Sequence, residues 1–405
     1  MSDGPARPKG GTQSTPARTG GETPLFAGYW AFGQYWGAWV VVVHEFLVDH
    51  GFSQSYMGWL YAALAVVSIG TMVLVAPRLQ RRPLAATLPA SIVVMGTGVL
   101  LTAASPSELL WAPFVVMGAG NGLLDVFMNV AAQDLETRTR RPILQRVHAG
   151  YSVGGVTGGL GAGIALTAGV PYRVILLAAG VVLLLAAAWN RLRPPPDLEH
   201  EEMPETRMSL SALRRAPVLV VPSLVVLFAF LVEGSMDSWS GISLRRTLAA
   251  SALAAGVGFA AFAGAMAIGR FFAARVLFRL GYRQTIMLSG LGSMAAGIVI
   301  VLTESIPIAS AAYLLLGFSL ASAAPAAFGL VEAANEHPTN AIAAITTVGY
   351  SGFVFAPPLL GWLGDTFTLR ATMSFMILMT IGVAVSGLLA PRGQAATRPG
   401  SRRCS

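Results

Sequence analysis

The sequence predicts an all-α membrane protein with twelve transmembrane helices arranged as two parallel six-helix repeats. Three observations predict this. First, 54% of the 405 residues are hydrophobic and only 11% are charged, with a mean hydropathy of +0.64, whereas soluble domains carry about a quarter charged residues. Second, apolar runs such as VILLAAGVVLLLAAAW (174–189) and IVVMGTGVLLTAA (92–104) recur along the chain. With small-residue extensions each reaches the roughly 20 residues needed to cross a bilayer core. Third, residues recur at a nearly constant offset: Trp39 with Trp239 and Gly58 with Gly258 at 200, Arg78-Leu79 with Arg279-Leu280 at 201, Gly118 with Gly317 at 199, and GYS at 150–152 with GYS at 349–351, also at 199.

Residues 1–24 are polar and rich in Gly, Pro and Thr, lack the apolar stretch of a signal peptide and read as a disordered tail. The first bundle is expected over 25–191, with spans at 25–47, 56–76, 84–104, 108–132, 148–168 and 171–191. A charged, proline-broken linker over 192–216 is too polar to enter lipid. The second bundle is expected over 217–391, with spans at 217–240, 251–273, 284–304, 307–331, 341–363 and 369–390, and a tail over 392–405. Six spans return the chain to its starting side, so the copies are related by an axis along the membrane normal, and in such folds the substrate lies between the halves near the midplane.

The loops fix an expected orientation. With both ends cytoplasmic, 22 of the 27 Lys and Arg residues lie in tails, the linker and three basic loops, RLQRR (78–82), RTRRPILQR (138–146) and RVLFRLGYR (275–283). Four (Arg173, Arg245, Arg246 and Arg370) lie on the other side and Arg270 lies within a span. The positive-inside rule then predicts a multi-pass protein of the cytoplasmic membrane. The net charge of +8 is thus a topology signal and no nucleic-acid partner is expected. The one cysteine, Cys404, excludes an intrachain disulfide. No cofactor or metal is expected, and the protein is expected to be monomeric.

Three clusters carry candidate chemistry. In GNGLLDVFMNVAA (120–132), Asn121, Asp125 and Asn129 are spaced four apart and share a helix face. An aspartate at mid-membrane must face the interior and find partners, or bind a proton. Asp125 reads as a proton carrier; the competing reading pairs it structurally with Arg141 or Arg146. In VEGSMDSWSG (232–241), Glu233 and Asp237 form an acidic pair placed near the outer end of the seventh span. Arg245 and Arg246 are candidates to neutralise it, which suggests an outer gate including Trp239, or simple interfacial capping. Trp39 and Trp239 read first as interface anchors. His148, with Ser152 one turn on, is either a hydrogen-bonded structural residue or a proton relay. Gln34, Asn121, Asn129, His148, Tyr151 and Ser152 are the expected cavity lining. Glu332 and Asp365, at span ends, read as solvated, and the Pro357-Pro358 pair predicts a break or hinge in the eleventh span.

The 6+6 plan, the central linker and the arginine loops after spans two and eight resemble the major facilitator superfamily over residues 25–390. Its loop signature, glycine…aspartate-arginine-x-glycine-arginine-arginine, is similar to APRLQRRP (76–83) and LFRLGYRQ (277–284), with Pro77 and Phe278 in the aspartate position. The resemblance makes Arg78, Arg141 and Arg279 cytoplasmic gate-loop residues. A narrower resemblance, to the fucose-permease-like sugar–proton symporters, rests on Leu124, Asp125 and Asn129 in the fourth span and on His148, Ser152, Gly154 and Gly155 in the fifth. It implies that Asp125 takes up the coupling proton and that Asn129 and His148 face the substrate. Such symporters also bury a carboxylate in the first helix, where this chain offers only Gln34 until Glu45.

The expected function is therefore proton-coupled transport of a small polar or amphipathic solute by alternating access. The alternatives are a proton-antiport exporter and a non-transporting sensor or scaffold. Enzyme motifs are decoys: GYSVG (150–154) lacks the strand–turn–helix elbow of a hydrolase, HEFLVD (44–49) lacks a soluble catalytic domain around it, and GAGNG (118–122) lacks a βαβ unit.

Overall fold

The computed structural model describes residues 21–139, 141, 143–194, 217–334 and 338–391. The expected tails and linker lie outside these residues except at their edges. Among the described residues the chain is helical throughout. The helices are α1 (Glu22–His50), α2 (Gln54–Leu79), α3 (Leu84–Ala104), α4 (Trp111–Thr139), α5 (Ile143–Thr167), α6 (Tyr172–Leu192) and α7 (Val220–Thr247). There follow α8 (252–280) and α9 (282–302), then α10 (Ile306–Ala334), α11 (Pro338–Thr366) and α12 (Leu369–Leu389).

Among the described residues nine helices are long and apolar enough to cross a membrane, and one of them, Ala252–Leu302, comprises α8 and α9. The remaining two, α1 and α5, have membrane length. The order agrees with twelve passes. The basic segment 275–283, expected as a loop, is helical instead. A single residue, Gly281 at φ 73°, ψ 168°, turns the chain between the two passes, a conformation open to glycine and costly for other residues. Two further details differ from expectation. The α2 backbone passes through a π-helical turn at Thr71–Val75, and α10 is interrupted at Ala321–Ser322. Conversely, α11 runs through Pro357 and Pro358 without a break.

The packing repeats. In the first half α1 packs on α5 and α6, α2 on α4, and α3 on α6; in the second, α7 packs on α11 and α12, α8 on α10, and α9 on α12. Between the halves α2 meets α11 and, by the same symmetry, α8 meets α5. Glycines allow these approaches: a Cβ at Gly58 would strike the Pro357 carbonyl, one at Gly256 the Gly159 carbonyl, and one at Gly241 the Val40 carbonyl. Such contacts suit lipid, where close van der Waals packing replaces a hydrophobic driving force between helices. Outward-facing apolar residues such as Leu185, Leu192, Leu302 and Leu388 are exposed, as a lipid-facing surface requires.

The contacts between halves concentrate on the face opposite the termini, here the far face. There Arg245 of α7 pairs with Glu45 of α1, and Asp365 at the end of α11 accepts hydrogen bonds from the backbone N–H groups of Gln54 (3.0 Å) and Ser55 (2.7 Å). Asp365 is therefore a cap on the N-terminus of α2 and not merely solvated, whereas Glu332 is exposed as expected. Within the first half, Asp49 accepts from Tyr172 (2.7 Å) and from Arg173 (2.9 Å). These bonds hold its carboxyl below the usual carboxylate range, so the clasp persists until pH falls below that range.

Candidate functional site

Asp125 sits midway along α4, where the sequence supplies Gly118 and Gly122 against α2 on one side and polar atoms on another. Its Oδ1 accepts from Asn129 Nδ2 at 3.3 Å, and its backbone oxygen accepts from the same nitrogen at 2.8 Å. Asn129 Oδ1 in turn accepts from the Tyr29 hydroxyl at 3.1 Å and pairs with His148 Nε2 at 3.0 Å. Since an amide oxygen only accepts, Nε2 carries the proton in this arrangement. The Tyr29 and His148 rings meet edge to face at 5.1 Å. From the second half, Tyr350 on α11 hydrogen-bonds the Asp125 carboxylate through its side chain. A polar chain thus runs from His148 through Asn129 and Asp125 to Tyr350 and crosses from one half to the other.

Among the described ion pairs none involves Asp125. Arg146, one of the arginines considered for it, binds Glu22 at 2.7 Å, and Arg141 is exposed. Asp125 is therefore a carboxylate inside the protein, partly buried, with hydroxyl and amide partners only.

A second cluster faces the same region from α7 and α8. Glu233 lies near the middle of α7, not near its outer end as its sequence context suggested, and both of its oxygens bind Arg270 Nη2, at 2.8 and 3.0 Å. Arg245, expected to neutralise this acidic pair, is instead engaged with Glu45 across the halves. Asp237 follows one turn after Glu233. These three side chains, with Trp36, Tyr151 and Ser152 from the first half, line a cavity of about 60 Å³ between the halves. That is room for a few water molecules.

The expected site residues separate into two groups. Tyr151, Ser152, Glu233 and Asp237 line the cavity, and Asp125, Asn129 and His148 form the adjoining polar chain. Asn121 turns away to donate to Ser68 Oγ on α2 at 2.9 Å, so it packs two helices together and is not a cavity residue. Gln34 is absent from the cavity wall: its backbone lies beneath Gly154 and Gly158, and its Oε1 is buried without a hydrogen-bond partner among the described residues. Trp239 and Trp39 are not interface anchors, being 0% and 1% exposed. Trp39 Nε1 donates to Tyr61 Oη at 2.8 Å, and Trp239 packs edge-on against the same tyrosine at 6.4 Å. Arg78 donates to the Leu74 carbonyl of its own helix, and Arg279, like Arg141, is exposed.

Arg270, Tyr29, Trp36 and Tyr350 were not anticipated. For Arg270 the signal was present, because an ionisable residue within a span marks a functional site by default. For Tyr350 it was the repeat itself: GYS at 349–351 is the copy of GYS at 150–152, and both tyrosines reach the centre. The Arg270 side chain is 49% exposed and His148 is also exposed, although both belong to this interior region.

The chain matches the Major Facilitator Superfamily family over residues 25–357. It is 30% identical to an uncharacterized MFS-type transporter of Yersinia pestis over 311 residues, 74% of this chain and 77% of that protein. It is 25% identical to the membrane protein MosC of Rhizobium meliloti over 395 residues, 95% of this chain and 94% of that one. Among solved structures, a bacterial homolog of the human lysosomal transporter Spinster, inward-facing and unoccupied, superposes with a TM-score of 0.77 at 16% identity, covering 93% of this chain and 97% of that one. With the fold, the central polar site and these matches in agreement, the chain belongs to the major facilitator superfamily, a family of multi-pass membrane transporters and not of enzymes.

Proposed function

We propose that the protein is a proton-coupled secondary transporter of a small polar solute in the cytoplasmic membrane, with both termini cytoplasmic. The observation that carries this reading is Asp125: an interior carboxylate with no cationic partner among the described ion pairs, bonded to Asn129 in its own half and to Tyr350 in the other. A charge in that position is costly, on the order of 2.5–3.5 kcal/mol at a bilayer centre, and taking up a proton relieves the cost. Because Tyr350 belongs to the opposite half, rocking the halves apart breaks its bond and changes the setting of the carboxyl. Protonation and access are thereby linked. A gradient can drive the cycle, since one charge crossing 100 mV releases about 2.3 kcal/mol.

In this scheme the present state is closed on the outside and reached from the cytoplasm. Glu45–Arg245 and Asp365 at the α2 terminus act as the outer gate, in place of the Glu233, Asp237 and Trp239 group. The match of Leu124, Asp125, Asn129 and His148 to the fucose-permease-like branch supports a symporter over an exporter, and import is the direction we favour. Asp125→Asn tests the mechanism. Solutes that stabilise the purified protein are first found by thermal shift and then assayed in proteoliposomes. The variant is expected to bind such a solute yet to lose uptake driven by a pH gradient by more than tenfold. Full pH-driven uptake by Asp125→Asn overturns the assignment, and accumulation only against an opposed proton gradient favours the exporter.

A further inference from the structure

We propose that the central cavity takes a small solute carrying a protonated amine beside hydroxyl groups, with Asp237 as its counter-ion and Arg270 donating to its hydroxyl oxygens. This inference rests on the transport reading and narrows the substrate class.

The argument is one of charge and spare hydrogen bonds. The cavity wall holds two carboxylates, Glu233 and Asp237, and one guanidinium, Arg270. Both oxygens of Glu233 are occupied by a single nitrogen of Arg270. Among the described residues Asp237 has no hydrogen bond or ion pair, and Arg270 gives hydrogen bonds to Glu233 alone, which leaves its other N–H groups for a ligand. The first half contributes no charge to the wall, only residues such as Tyr151, Ser152 and Trp36. With both acids ionised the wall carries one negative charge in excess, which either a proton on Asp237 or a bound cation removes. A neutral sugar leaves it uncompensated, a zwitterion leaves it likewise, and an anion doubles the conflict. A monocation neutralises it.

The remaining wall accommodates the same ligand. Trp36, Phe259 and Phe262 also line the cavity, and aromatic residues are compatible with a cationic ligand. Room is kept by Gly155, where a Cβ would find nothing nearer than the Gly33 carbonyl oxygen at 3.9 Å. A larger side chain there projects into space the ligand needs without disturbing the helix packing.

Binding to the full-length protein in lipid nanodiscs tests this, read by titration calorimetry with probes small enough for the cavity, ethanolamine against ethylene glycol and 3-aminopropan-1-ol against propane-1,3-diol. The amines are expected to bind at least tenfold more tightly than their neutral counterparts. Asp237→Asn is expected to remove the preference, Asp237→Glu to retain it, and Gly155→Leu to weaken amine binding at least tenfold without lowering the melting temperature. Glu304→Gln, in an exposed pair on the far face, serves as the unaffected control. Equal binding of amines and neutral compounds, binding of neither, or a preference that survives in Asp237→Asn overturns the proposal. Because pH-driven flux through Asp125 is measured separately, a protein that transports with the gradient but shows no amine preference refutes this inference alone.

Discussion

Asn129 is the joint of the polar chain, since one amide satisfies Tyr29, His148 and Asp125 together. Replacing it with leucine keeps the volume and removes a partner from all three, of which Tyr29 is buried and Asp125 partly buried while His148 is exposed to water. A buried polar group left without its partner costs about 1–3 kcal/mol, so Asn129→Leu is expected to lower the melting temperature by several degrees and to reduce pH-driven flux at least tenfold. Scanning calorimetry and proteoliposome uptake check the two effects, and unchanged flux removes Asn129 from the relay. Tyr350→Phe deletes only the hydroxyl that crosses to Asp125. It is expected to leave the melting temperature within about 2 °C while slowing pH-driven uptake several-fold, because an exchange of one hydrogen bond is worth about 1 kcal/mol net. At this scale the sequence was partly legible. The four-residue spacing located Asp125 and Asn129 on one face. Extending it to Asn121 failed because a helix turns 100° per residue, so positions eight apart drift by about 80°, enough to aim Asn121 at Ser68. Pairing Glu233 with its nearest arginines along the chain failed too, since Arg245 and Arg246 lie a turn or more beyond the acids and the true partner, Arg270, arrives on another helix.

The helix ends, more than the helix interiors, decide which side of the molecule is closed. Asp365 at the C-terminal end of α11 receives two backbone N–H groups from the first turn of α2, where the unsatisfied donors and the helix dipole favour an anion. An acid so placed contributes about 0.3–1 kcal/mol, up to about 2 in partly buried geometry, and the bond exists only while the far face is shut. Asp365→Asn is therefore expected to raise the far-open population relative to the closed one by about fivefold, the ratio that corresponds to 1 kcal/mol. Pulsed electron resonance between spin labels at Val48 and Phe367, both 62% exposed, in a background with Cys404 replaced by serine, measures that ratio. An unaltered distance distribution shows that the cap is incidental. Most elements were legible from apolar runs and basic loops, as the agreement of α3 and α6 with their expected limits to within a residue shows. Two were not. The segment 275–283 carried the charge of a loop yet stayed helical because one glycine suffices for the turn. The Pro357-Pro358 pair suggested a break that tertiary packing overrode, the Pro357 carbonyl being seated over Gly58.

At the scale of the whole molecule, transport requires two packings of the same halves, and the structure shows what one of them needs. On the far face the halves meet backbone to backbone through glycines, with Gly256 of α8 over Gly159 of α5 and Gly241 of α7 over Val40 of α1. A side chain at Gly256 has nowhere to go in this state, whereas parting the far ends frees it at once. Overpacking a tight contact costs about 1–3 kcal/mol, and every 1.4 kcal/mol is tenfold in an equilibrium constant. Gly256→Leu is thus expected to shift the two-state balance toward the far-open form by about tenfold or more and to cut solute turnover by a similar factor, while the protein remains folded because the substituted face lies between halves and not within one. Gly161→Leu is the matched control, being on α5 with no atom within 4 Å of its would-be Cβ, and it is expected to alter neither property. The same spin-label pair reads the shift, and uptake in proteoliposomes reads the turnover. If Gly256→Leu leaves the distance distribution as it is, the two halves do not separate along this seam, and the motion that links Asp125 to the two sides of the membrane runs elsewhere.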